Sequence, residues 1–270
     1  MVAPTRTADG LKLISWALLL SFFAALLGVA GAAILVAVRP VDISSLIILG
    51  LAVGTPAGLL TLVLVILFLV GYFTLYPHRR EFGPTHEKNV ERSLLLFIGI
   101  IVVYVVLQAI FFAMFFLAFT EFILPFDPTT PPSQPTPEQL QQALLPALLV
   151  AQGLDIFVAL FVALLLYVLV VAVRPRVKQS RLKYAVALYV LGPAAGFAIF
   201  IGLFLTGQLF VPAFQEGTSS FLFPAFNPQL QEVLGGFVRS SLQAIAIFLF
   251  WGVYRASLDA MRGGVIRPEV

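Results

Sequence analysis

The chain of 270 residues is 60% hydrophobic and 11% charged, with a mean hydropathy of +1.03, a composition that excludes a soluble globular domain. Its apolar runs leave no polar sequence from which to build a shell around buried helices, so they read as helices crossing a bilayer. The lack of cysteine removes disulfides, thiolate chemistry and sulfur ligation of a metal, and the formal charge of +3 is accounted for by membrane topology rather than by nucleic acid.

Met1 to Gly10 is short and polar and reads as poorly ordered. The first span is Leu13 to Val38. Its small residues at Gly28 to Ala32 resemble a signal-peptidase site, but the run continues too far for a signal h-region, so an uncleaved helix is expected. Asp42 is placed to cap a second helix, Ile43 to Tyr76. At roughly 50 Å this run exceeds the bilayer core, and the break is expected at Gly54-Thr55-Pro56-Ala57-Gly58.

A charged connection, Pro77 to Ser93, leads through Pro84-Thr85 into a third span, Leu94 to Phe122. The Pro/Thr-rich loop that follows has no basic residue. Thr136-Pro137-Glu138-Gln139 has the order of a capping box and starts a fourth helix, kinked at Pro146 and running to Val173. The basic stretch Arg174 to Lys183 precedes a fifth span, Tyr184 to Val211, in which Gly192-Pro193-Ala194-Ala195-Gly196 reads either as a helix break or, by a small margin the better reading, as a close-packing face. A Phe-rich loop leads to Asn227-Pro228, the expected start of a sixth span ending near Tyr254, followed by a basic tail.

Six crossings with the N-terminus inside place all but Arg39 and Arg239 of the 16 Lys and Arg residues on the cytoplasmic side. Trp16, Tyr72, Tyr76, Tyr167, Tyr184, Tyr189, Trp251 and Tyr254 gather toward the same interface. The expected fold class is therefore all-α: a polytopic bundle forming one transmembrane domain, residues 1–270, in the cell membrane with both termini cytoplasmic.

Three phrases recur. Val36-Ala37-Val38-Arg39-Pro40 matches Val171-Ala172-Val173-Arg174-Pro175. The Gly54–Gly58 motif matches Gly192–Gly196. Arg-Ser-x-Leu-x-x-Ile occurs at Arg92 and again at Arg239. Read as a repeat, the halves 1–135 and 136–270 are three-helix units, and an odd number of spans inverts one against the other. Inverted halves with paired Gly/Pro-interrupted helices are an architecture of secondary transporters.

Asp155 is the acid within a span, with Gln152 one turn earlier. Counting from Arg174 puts it about 28 Å up, at the outer edge of the hydrocarbon. Arg239, Gln243 and Gln108 complete a set that reads either as an outward-facing polar pocket, with Asp155 and Arg239 as ion pair or ligand contacts, or as interfacial anchors and interhelical hydrogen bonds. The position of both charges near the interface favours the second reading. His78 and His86 lie outside the spans and lack further ligands for a metal, and no cofactor is expected. No G-x-S-x-G, H-E-x-x-H or P-loop occurs, so no enzyme activity is expected.

Gly10-Leu11-Lys12 entering the first span, the long glycine-broken second span, and Phe82-Gly83 in a charged connection together resemble uncharacterised archaeal multi-pass membrane proteins. The resemblance implies a membrane location and assigns no residue a role. The reading preferred is a structural or accessory membrane subunit that binds lipids, a protein partner or a second copy of itself. The competing one is a small inverted-repeat transporter or channel.

Overall fold

A computed structural model describes residues 6–38, 43–123, 137–174, 179–206 and 232–263. Its long elements are six α-helices: α1 (Arg6–Val38), α2 (Ile43–Leu75), α3 (Gly83–Ile123), α4 (Pro137–Val171), α5 (Gln179–Leu205) and α6 (Phe237–Arg262). A 3-10 helix, Tyr76–Phe82, joins α2 to α3, and a π turn, Glu232–Gly236, leads into α6. By length and hydropathy five stretches are able to cross a membrane, and one of them, Leu59–Met114, runs from α2 through the 3-10 connection into α3. Asp42, Thr136, Asn227-Pro228 and the Pro- and Phe-rich loops lie outside the described residues.

The helices pack in the order α2–α1–α6–α5–α4–α3, with α4 also touching α6. The main core sits at one end, where α1, α3 and α5 begin and α2, α4 and α6 finish, and includes Leu11, Ile14, Leu75, Val90, Leu169 and Phe250. A second, smaller cluster around Phe200 and Leu203 joins α4 to α5 toward the other end. In lipid, burying a leucine no longer removes it from water, so close packing has to supply the association. At the α1–α2 crossing a Cβ on Gly10 would stand 2.6 Å from the Gly71 carbonyl oxygen, and one on Gly71 would stand 2.8 Å from that of Gly10. Only glycine on both sides permits backbones this close.

Several expectations from the sequence are corrected. Neither glycine motif interrupts its helix: α2 runs through Gly54, Pro56 and Gly58, and α5 through Gly192, Pro193 and Gly196. An internal proline deletes one helix hydrogen bond, and the turns on either side retain theirs, so the helix continues. Residues 6–10 are not a loose tail. Thr7, Gly10, Leu11 and Ile14 are buried at the i, i+3, i+4, i+7 spacing of one helical face. The Thr7 hydroxyl donates to the His78 carbonyl at 3.1 Å, and its backbone N–H donates to Glu81 at 3.0 Å. The last helix runs eight residues beyond Tyr254, because Ser257, Leu258 and Met261 continue its buried face. Tyr72 and Tyr254, placed by sequence toward one interface, are fully buried within the bundle at the core end, and the Tyr254 hydroxyl donates to the Leu166 carbonyl at 2.9 Å.

Candidate functional site

Of the polar residues singled out within the spans, Asp155, Arg239 and Gln243 come together at the start of α6. Arg239 lies in its first turn, and Asp155 lies near the middle of α4. The guanidinium Nη1 donates to Asp155 Oδ2 at 2.5 Å, a charge-assisted bond of the kind that runs shorter than its neutral counterparts. The side chains are 36% and 37% exposed, so the pair is partly open to its surroundings rather than sealed in the core.

The backbone of α6 can reach this place because α5 is shaved down opposite it. A Cβ on Gly192 would stand 3.1 Å from the Arg239 carbonyl oxygen and 3.2 Å from Gln243 Cγ, and one on Gly196 would be 3.7 Å from the Gly235 carbonyl oxygen. On the other flank a Cβ on Gly28 of α1 would stand 3.1 Å from Ser240 Oγ. Of the two readings open for Gly192 and Gly196, the structure therefore gives the packing face, as small residues form at membrane helix crossings.

Gln243, one turn beyond Arg239, lays its stem on Gly192. Gln108 stands apart. The α3–α4 register is marked by Gly99, whose Cβ position lies 3.7 Å from the Phe161 ring. Nine residues outward from each of these lie Gln108 and Gln152, so the two amides are level with one another and close to the level of Asp155. Among the described residues α3 packs against α4 and the 3-10 connection rather than against α5 or α6, which leaves Gln108 on the far side of α4 from Arg239. The structure thus brings together Asp155, Arg239 and Gln243, and leaves Gln108 outside the group.

A second polar cluster, at the core end, was not anticipated from sequence. Ser93 donates to the Val90 carbonyl at 2.6 Å and lies 3.2 Å from the Tyr72 hydroxyl, while Tyr72 stacks on Phe97 at 5.9 Å. His86, expected in a solvated connection, is fully buried, and neither ring nitrogen has a hydrogen-bond partner. Its ring meets Phe82 edge-on at 5.9 Å. Burial lowers its pKa to about 4, against a smaller upward pull from Glu81. The signal that would have found it is the buried face of residues 7 to 14, which turns the start of α1 into a cover for this end.

The charged connection is held by Arg80–Glu87 at 2.6 Å and Arg79–Glu91 at 3.3 Å, with Arg79 also 4.8 Å above the Tyr76 ring. Arg174 folds back to donate to the Val171 carbonyl, capping the end of α4. Among the described residues no group of three His, Cys, Asp or Glu side chains is placed to hold a metal ion. No family model, curated protein or solved structure matches this chain.

Proposed function

We propose that the protein is an integral membrane subunit of structural or accessory role, crossing the cell membrane six times with both termini in the cytoplasm and presenting its outer faces to lipid or to a partner. The observation that carries this reading is the mutual commitment of Asp155 and Arg239. Each charge is spent on the other, and the glycine face of α5 is filled by α6. The polar residues of the spans are thus used to tie α4, α5 and α6 together. Liposomes containing the purified protein are expected to show no flux across a panel of ions and small neutral and charged solutes. A flux that disappears in Gln243→Leu would overturn the reading.

One observation favours the transporter alternative. Exchanging α1, α2 and α3 for α4, α5 and α6 maps the α1–α6 contact onto α4–α3, and α1–α2 onto α4–α5, as two related halves would. The same exchange fails for α5–α6, whose counterpart α2–α3 is not closely packed along its length. The flux measurement decides between the two.

A further inference from the structure

The seam between α1 and α6, at the core end of the bundle, carries rings that the ion pair does not use and that the core covers only in part. Phe22 of α1 lies 5.5 Å from Phe248 of α6, Phe248 lies 5.6 Å from Trp251, and Phe22 lies 5.7 Å from Phe23. Four rings thus make a continuous strip across two helices. Phe23 and Phe248 are about half exposed, as is Trp16.

The contacts Phe22–Phe248 and Gly28–Ser240 set an antiparallel register. Carried toward the start of α1, that register brings Trp16 level with the turn of Trp251, and Lys12 within about one turn of Arg255. Phe248, Arg255 and Arg262 recur at seven-residue intervals, and Lys12, Trp16 and Phe23 at intervals of four and seven, so each set lies on one face of its helix. Lys12, Arg255 and Arg262 are exposed and make no ion pair among the described residues. Arg6, Asp9 and Asp259 are the other exposed charges there, which leaves the cations in excess. The site is therefore an aromatic, apolar strip with unpaired cations at one end, supplied by two different helices.

We propose that the α1–α6 seam binds an anionic phospholipid, its phosphate held between Lys12 and Arg255 and its chains laid along Phe22, Phe248 and Trp251. The proposal rests on the reading of the chain as a lipid-facing membrane subunit and names the lipid class it selects. Charge complementarity picks out the anionic head, and the rings one turn below the cations pick out the chains. A soluble anion would have no use for the strip, and a neutral phospholipid would leave the net positive charge of the seam uncompensated.

Native mass spectrometry of the purified full chain, offered phosphatidylglycerol and phosphatidylcholine in mixed micelles, tests this. The wild type is expected to retain phosphatidylglycerol over phosphatidylcholine by about ten-fold, the order expected from two cations near a membrane surface. Lys12→Gln/Arg255→Gln is expected to remove the preference, and Lys12→Arg/Arg255→Lys to keep it. Arg181→Gln/Lys183→Gln, on the exposed start of α5, is expected to keep it too. Glycerol phosphate, the head without chains, is expected not to compete.

Equal retention of both lipids by the wild type overturns the proposal, as does a preference that survives the double substitution. If the double variant fails to fold, Lys12→Gln and Arg255→Gln taken singly decide, since each is expected to lower the preference and an unchanged ratio in both overturns the site. Solute flux in liposomes together with an intact lipid preference would remove the subunit reading and leave the seam standing. Lost selectivity without flux would do the reverse.

Discussion

At the scale of single residues, Asp155 and Arg239 carry the sharpest consequence. Removing one member of a half-buried pair leaves the other charge desolvated and uncompensated, whereas removing both leaves none. Asp155→Leu and Arg239→Leu are each expected to destabilise the bundle by about 1–3 kcal/mol, and the double variant by less than the sum. Thermal unfolding of the four proteins in one detergent checks this. Both residues were legible in the sequence, because a charge inside an apolar run is rare and costly. Their pairing was one of two readings open in the sequence, and the 84 residues between them give no local spacing with which to choose it over two separate interfacial anchors.

His86 gives a pH dependence of definite sign. Its folded pKa of about 4 lies below the ordinary value near 6.5, so the unfolded chain takes up the proton first. Stability is fully present above pH 6.5, falls as pH drops from there toward 4, and levels off below. The loss is about 3 kcal/mol at its largest. Unfolding measured across that range is expected to show the fall in the wild type, and to show it reduced in His86→Phe. The sequence hid this residue because His86 sits among charges, and a charged stretch reads as solvated until its cover is known.

At the scale of helices, the glycines separate by what stands opposite them. An alanine at Gly10 or Gly71 meets backbone at under 3 Å and is expected to cost about 1–3 kcal/mol or more through forced separation of α1 and α2. Gly202 has nothing within 4 Å, so its alanine variant is expected to be neutral or to gain up to about 1 kcal/mol from helix propensity. Gly192→Ala, with neighbours at 3.1–3.2 Å, is expected to fall between them. Melting temperatures of the variants give the order directly. Helix number and approximate extent were readable from apolar run length. The ends were not, because the run of apolar letters stops before the amphipathic face does at both Thr7 and Met261. The Gly/Pro motifs left two readings open for a related reason: glycine signals a break and a close crossing equally, and only the neighbour distinguishes them.

At the scale of the whole molecule, the proposed topology is open to a direct test, helped by a chain free of cysteine. Gln179 and Thr206 are exposed at opposite ends of α5. In intact cells a membrane-impermeant thiol reagent is expected to label Thr206→Cys and to spare Gln179→Cys until the membrane is opened. The reverse pattern would invert the orientation. The ring order of the helices was beyond the sequence, because lipid-facing and partner-facing residues in a membrane helix are drawn from the same apolar alphabet.

The helices α2 and α3 are joined at the tip by Tyr72, Ser93 and Phe97 and are not closely packed beyond it. From this junction α2 extends about 44 Å to Ile43, supported by α1 rather than by α3. A force that parts α2 from α3 is therefore borne by the α1–α2 crossing, where Gly10 and Gly71 bring the two backbones together.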